Sequence, residues 1–438
     1  MSWVLSDPPL PVGKDGACGV KLNDRQVLWV GGRSDDSADN NRVFVYDVTT
    51  RRFDEVAPVP AAKRMNRNVA VGVLANGHVV VAGGAILGAD GATSRLSYRY
   101  NPDNDTWTRT GDLPESQEWA FTPTTLLRDG RLLAVGGVGA EGVAGGVGSV
   151  NAFVYDAERG TWDYTRRVSD NTQTTLGRGH RFGNAVLLSD GMVFVVGGHI
   201  FWSFPQPGRS VQAVDTDYFD PNTGEWTTGA PLPTVPGEDD QLQNSHGGRT
   251  NGVGVAVMDD GRVVIAGGAT HIDGAVYFNT ILCRRSILVM TPNPDPALST
   301  YVLAAARIPS GDGSGGFRGD GGRNQLPCYA VSGNRVVLAG GQDHIGNDLY
   351  DTYVFNAGTG SLIRGPDRVH DTPGWLAGRP NYPAGYQCAV ISTRAVSMAN
   401  SKLVFPADTL VHGGSYNAVS DNGDNPPGSR SAEQIKHP

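Results

Sequence analysis

The chain has 438 residues with a net charge of -8, 60 glycines, 27 prolines and only 18% charged residues. Such a composition belongs to many short strands joined by turns, and it excludes coiled coil, long helical bundles and disorder. The acidic balance, with no basic stripe, excludes nucleic acid as a partner. Lysine stands only at 14, 21, 63, 402 and 436, so cationic character is almost wholly arginine. That bias points weakly to a GC-rich, bacterial coding genome. The first ten residues, from Met1 to Leu10, have no basic start and no apolar core, and no apolar run reaches the length of a membrane span. Four cysteines without a CxxC pair exclude a disulfide framework or zinc knuckle. The expectation is a reduced, soluble, cytoplasmic protein with no membrane partner; nothing in the chain bears on its oligomeric state.

Taken in chain order, an apolar run ending in Gly-Gly recurs seven times, closing at Gly32, Gly84, Gly137, Gly198, Gly268, Gly341 and Gly414. Each run is short and β-branched, which reads as a strand. Tight turns precede most of them, as at Asn76-Gly77, Asp129-Gly130, Asp190-Gly191 and Asp260-Gly261, and predict a hairpin into the Gly-Gly strand. A second marker follows: Tyr46 stands seven residues before Phe53, Tyr100 before Trp107, Tyr155 before Trp162, Phe219 before Trp226 and Phe355 before Leu362. A polar turn lies between the members of each pair, so they predict a third strand, a turn and a fourth strand. In the fifth repeat Met290 and Tyr301 take these places around a proline-rich insertion.

One repeat is thus four antiparallel strands, one blade of a β-propeller. The expected architecture is all-β: a single seven-bladed propeller over 1–438, with blades at approximately 12–60, 61–114, 115–169, 170–233, 234–309, 310–370 and 371–438. The seventh repeat lacks its tryptophan strand. Residues 2–11, from Ser2-Trp3 to Pro11, match Glu225-Trp226 to Pro233 and are expected to complete that blade and close the ring.

The order Gly-Gly, aromatic, Trp resembles the kelch repeat over nearly the whole chain, and the chain resembles the central propeller of galactose oxidase. Galactose oxidase uses a copper site with an adjacent Tyr-His pair. This chain contains no Tyr-His dipeptide and no visible additional C-terminal domain, so copper-radical chemistry is not expected. The plant nitrile-specifier proteins, also kelch propellers, hold iron through Glu-x3-Asp-x3-His; Leu242 stands where that spacing from Glu238 needs the aspartate.

In such a blade the loop after Gly-Gly and the loop from the fourth strand to the next blade share one face, so function should gather there. The longest connections, about 230–252, 306–326 and 365–386, lie between blades 4 and 7 and predict a lopsided wall. The wall carries most of the histidines. His180 and Arg181 precede blade 4, and His199 with Trp202 follows its Gly-Gly. His246 and Arg249 precede blade 5, and His271 follows its Gly-Gly. Arg323 precedes blade 6, and Asp343-His344 follows its Gly-Gly. Tyr382 and Tyr386 precede blade 7, with His412 and Tyr416 flanking its Gly-Gly; Arg67 precedes blade 2 and Glu118-Trp119 blade 3.

Imidazoles transfer protons near pH 7, and arginines orient carboxylates or stabilise enolates. The leading expectation is therefore a cofactor-free lyase, isomerase or cyclase acting on a small molecule. His246, His180, His344, Asp343 and Glu118 are its acid–base candidates. Arg67, Arg181, His199, Trp202, Arg249, His271, Arg323, Tyr382, Tyr386, His412 and Tyr416 are its substrate-binding candidates. The resemblance implies such enzymes too, sugar mutarotation among bacterial kelch-like proteins being one. It implies a second class as well, adaptors that read acidic peptides through arginines placed like Arg67, Arg249 and Arg323, although no BTB domain is attached. Trp119 and Trp202 suggest a third, carbohydrate binding. Glu238-Asp239-Asp240 with His246 has donors that suit a divalent metal, but the expectation there is a solvated acidic loop and no cofactor. Cys18, Cys328 and Cys388 fall in or near first strands and are expected to be small core packing. The glycine-rich 311–322 loop lacks the lysine and strand–helix context of a phosphate loop and reads as a flexible lid.

Overall fold

The computed structural model describes residues 4–5, 10–12, 15–33, 39–60, 69–84, 86, 93–117, 124–137, 148–180, 183–202, 210–239, 247–249, 252–271, 281–309, 322–324, 326–341, 349, 351–366, 404–405, 409–413 and 432–436. Among them the chain is all-β, with seven four-stranded antiparallel sheets, two two-stranded ribbons and one 3-10 turn at Pro296–Leu298. The innermost strands of the sheets neighbour one another in chain order. A core cluster that holds Val27, Trp29 and Tyr46 of blade 1 together with Tyr329 and Val337 of blade 6 carries the packing around the ring. The architecture is a β-propeller.

The sequence markers fall into register. Tyr46 lies across from Phe53, Tyr100 from Trp107, Tyr155 from Trp162, Phe219 from Trp226, Phe355 from Leu362 and Met290 from Tyr301. In four of these pairs the rings pack with centroids 4.9–5.2 Å apart, a geometry worth about 1 kcal/mol each beyond burial. The indoles do a second job. Trp107 Nε1 donates to Ala57 O at 2.7 Å, Trp162 Nε1 to Ser97 Oγ at 2.9 Å, and Trp226 Nε1 to Thr165 Oγ1 at 3.1 Å. Tyr301 donates its hydroxyl to Ala230 O at 3.1 Å. The fourth strand of each of blades 2 to 5 is thereby stapled to the blade before it.

The Gly-Gly pairs have a steric cause. In six of the seven both glycines take positive φ, for example Gly267 at 62° and Gly268 at 86°, where a side chain is strained. A Cβ on Gly267 would also stand 2.6 Å from Arg323 O of the next blade. The glycines let consecutive blades touch backbone to backbone at the loop-bearing end.

The seventh sheet joins both ends of the chain. Val404–Phe405 is its innermost strand, followed by Thr409–Gly413 and Ala432–Lys436, and Val4–Leu5 completes it, with Val4 across from Gln434 and Leu5 from Glu433. The expected closing strand is in place. No helix among the described residues is long and apolar enough to cross a membrane.

Candidate functional site

The wall expected over blades 4–7 takes a definite form on blades 4 and 5. Immediately after Gly198 the chain forms a ribbon, His199–Trp202 paired with Ser210–Gln212. Immediately after Gly268 it forms another, Ala269–His271 paired with Ile281–Cys283. The strand Ser210–Gln212 lies beside Ala269–His271, so the two ribbons stand side by side. His199 is across from Gln212 and His271 from Ile281. The strand bearing His199 and the strand bearing His271 are thus separated by one strand. Trp202 lies on the blade 4 ribbon across from Ser210. His412 lies within the Gly-Gly strand of blade 7, across from Glu433.

His180, Arg249 and Arg323 occupy one structural position in blades 4, 5 and 6, and none of the three is exposed to solvent. Each turns its side chain to the first glycine of its own Gly-Gly. His180 Nδ1 lies 2.6 Å from Gly197 O, Arg249 Nη1 donates to Gly267 O at 2.7 Å, and Arg323 Nη1 donates to Gly340 O at 2.9 Å. Each also reaches the start of its blade's third strand. His180 Nε2 is 3.0 Å from Asp217 Oδ2, Arg249 Nη2 donates to Ser286 Oγ, and Arg323 Nη2 donates to Asp351 Oδ2 while its guanidinium lies 5.1 Å over the Tyr353 ring. As placed, they fasten the lead-in of each blade to its Gly-Gly corner.

Electrostatics separate the two arginines. Burial alone would push the Asp351 carboxyl up, but the hydrogen bond and charge of Arg323, with the Tyr353 hydroxyl 2.6 Å away, hold it below the usual carboxylate range. Among the described residues Arg249 makes no hydrogen bond or ion pair with a carboxylate. Burial and the nearby charge of Arg284 bring its guanidinium down to about 10, and Ser286 relays it to Glu238, donating to Oε2 at 2.7 Å.

Contrary to the expectation of a solvated acidic loop, Glu238 and Asp239 before blade 5 are largely out of water. Asp239 is wholly buried and accepts from Arg284 Nη2 at 2.6 Å, Val235 N at 2.5 Å and Gly247 N at 3.0 Å. Burial raises its carboxyl, and Arg284 and these N–H groups outweigh that and lower it. Glu238 accepts from Arg285 N at 3.1 Å and from Ser286, with Arg284 Nη1 at 3.6 Å. A buried carboxylate needs a counter-ion, and the sequence supplies it forty-five positions on, as Arg284. Sequence reasoning missed Arg284 because nothing local marks it; its one signal is a charged pair, Arg284-Arg285, between a strand-like run and the apolar third strand. Both described carboxylates are thus engaged by protein donors. Among the described residues no group of three or more His, Cys, Asp or Glu side chains could hold a metal ion.

Glu118, Arg67, Arg181, Asp240, His246, Asp343, His344, Tyr382, Tyr386 and Tyr416 lie outside the described residues, as do Trp119, Cys388 and most of the glycine-rich 311–322 loop. Cys18 and Cys328 are buried free thiols in the first strands of blades 1 and 6. A Cβ on Gly254 of the neighbouring strand would collide with Cys328 Sγ, the tight packing expected of a small core residue.

No family model matches the chain. Over 271 residues, 56% of this chain and 68% of the relative, it is 26% identical to an N-acetylneuraminate epimerase of Pasteurella multocida (strain Pm70). The solved structure of YjhT superposes with a TM-score of 0.53 and 14% identity, over 82% of this chain and 99% of that one. A fungal alcohol oxidase of the AA5 family, solved in complex with copper, superposes with a TM-score of 0.60 and 13% identity, over 99% of this chain and 75% of that one. The likeness to the solved structures is one of fold, a β-propeller.

Proposed function

We propose that this propeller processes a small acidic molecule by acid–base chemistry on its ribbon-bearing face, and that the reaction is an isomerisation, with lyase or cyclase chemistry as variants of the same proton transfers. The observation that carries the reading is the pair of neighbouring ribbons, each springing from a Gly-Gly and each bearing a histidine within its first turn of chain, His199 and His271. Inverting a centre requires a proton to leave one side of the substrate and return on the other, or a ring to open and reclose. Two imidazoles on separate strands suit either, being able to act as acid or base near pH 7. The sequence relationship to an N-acetylneuraminate epimerase supports an acidic sugar as the substrate class.

In this reading His199, His271, His246 and His344, with Asp343 and Glu118, supply the acid–base groups. Arg67 and Arg181 hold the anion, and Trp202, Tyr382, Tyr386, His412 and Tyr416 contribute contact surface. We place His180, Arg249 and Arg323 in the scaffold, because each is buried and hydrogen-bonds its own Gly-Gly corner. No cofactor is invoked, since a proton shuttle needs none. Buried thiols at Cys18 and Cys328 suit a reducing compartment such as the cytoplasm.

The test is a proton-NMR time course of N-acetylneuraminate and a panel of related sugar acids with the purified protein. Accelerated interconversion of stereoisomers is expected, falling by about 10²–10⁴-fold in His199→Gln or His271→Gln. A wild-type rate equal to buffer for every sugar acid in the panel would sink the proposal.

A further inference from the structure

We infer that Arg284 and Asp239 are positioning residues for the ribbon that carries His271, tying its base to the loop that leads into blade 5; the inference rests on reading that face as catalytic. Arg284 Nε donates to Thr270 Oγ1 at 2.8 Å, and Thr270 Oγ1 in turn donates to Gly248 O at 2.6 Å. Arg284 Nη2 donates to Gly248 O at 3.0 Å and to Asp239 Oδ1 at 2.6 Å. Thr270 immediately precedes His271 on the ribbon, and Gly247, whose N–H Asp239 accepts, immediately follows His246 in the chain. One guanidinium therefore gathers three points: the loop before residue 240, the loop after residue 246, and the ribbon beside His271.

The propeller itself does not ask for this charge. Arg284 sits where a blade's returning chain donates its N–H to the second glycine of Gly-Gly, here Gly268 O at 2.8 Å. The same bond to the same corner is made by Ser94 in blade 2, Ser149 in blade 3, Ala213 in blade 4 and Leu349 in blade 6. Small or apolar residues serve there, so the backbone bond alone builds the corner. A guanidinium wholly out of water, with Nη1 lacking a hydrogen bond, is costly to install. It is found where a buried aspartate lies on the preceding loop and a hydroxyl on the ribbon. Holding a reacting group to within a fraction of an ångström is what such a tether supplies, because small misplacements cost rate steeply.

Two variants cut the tether in different ways. Thr270→Val removes both hydroxyl bonds with no change of charge; the double variant Arg284→Met, Asp239→Asn removes the two charges together, so neither is left buried alone. Amide hydrogen exchange read by mass spectrometry should show peptides covering 269–271 and 281–283 exchanging at least about tenfold faster in both, with the blade 5 strands Gly254–Val257 and Val263–Ala266 unchanged. In the sugar-acid assay the same variants should lose about 10²-fold in kcat with little change in KM and a displaced pH profile, and Arg284→Lys should recover part of the loss. Unchanged ribbon exchange in both variants overturns the inference, and so does faster exchange spread evenly over the blade 5 strands, which would make the pair ordinary scaffold. A wild-type protein that turns over no sugar acid overturns the catalytic reading instead, and the exchange data still decide whether the tether exists.

Discussion

His180 Nε2 and Asp217 Oδ2 meet at 3.0 Å with neither side chain reaching solvent, joining the lead-in of blade 4 to the first residue of its third strand. Asp217 has little else to fall back on: Thr228 Oγ1 at 3.3 Å and the Arg178 N–H at 3.4 Å. Removing the imidazole strands a buried carboxylate, and His180→Ala is expected to cost about 3 kcal/mol of stability. Urea unfolding checks it. A loss below about 1 kcal/mol, the worth of one ordinary hydrogen bond, would show that the pair does not hold the corner.

The indole staples make a milder prediction. Trp162→Phe keeps the ring against Tyr155 but deletes the bond to Ser97 Oγ. The expected loss is about 1 kcal/mol, seen as a lower urea midpoint at unchanged m-value. Phe53 and Leu362 hold the same place in blades 1 and 6 and have no hydrogen to donate. Phe53→Leu should therefore lose packing only.

Asp239 and Asp351 both have carboxyls held below their usual range, by Arg284 and Arg323 respectively, against the opposing effect of burial. A group whose folded-state value is depressed stabilises the fold above its unfolded value, about 3.9 for aspartate, and that contribution is lost as pH falls toward the folded value. Stability should thus drop steeply on acidification below about pH 4. In Asp239→Asn the protein should be weaker at neutral pH and show a shallower acid limb, which urea titrations from neutral to acid pH would reveal.

Burial pushes the Cys18 thiol up to about 12, against one weak bond to Val69 O, and raises Cys328 as well. Neither offers a thiolate at ordinary pH. Iodoacetamide at pH 8 should leave both unmodified in the native protein and label both in denaturant, as peptide mapping would show. Labelling of Cys328 in the native state would contradict the packing against Gly254.

The blade was legible because its markers are local and periodic. Tyr155 and Trp162 are seven residues apart since a turn of fixed length joins two strands in register, and Gly267-Gly268 repeats because a neighbouring backbone leaves no room for a Cβ. The closing strand was legible for the same reason, by likeness to Glu225–Pro233. The candidate site was legible only as a neighbourhood. Arg249 and His180 were correctly placed at blade lead-ins, but sequence position does not say which way a side chain turns, and theirs turn to Gly267 and Gly197. Arg284 was invisible because its partner, Asp239, lies on another loop, and pairing across a ribbon leaves no periodic trace. The ribbons themselves escaped notice, since His199–Trp202 and Ala269–His271 run on from Gly-Gly without a turn signal to mark a new strand.

Val4 pairs with Gln434 and Leu5 with Glu433, so the last sheet draws on opposite ends of the chain. During synthesis the first residues leave the ribosome before their partner strand has been made. Six blades can assemble on the nascent chain while Val4–Leu5 waits unpaired, and the final loop to be closed encloses all six of them, the slowest kind of contact to form. A ribosome stalled within blade 7 would therefore display an open arc with an uncovered apolar blade face at each end, the state in which this protein is most exposed to chaperones and to association with its own copies.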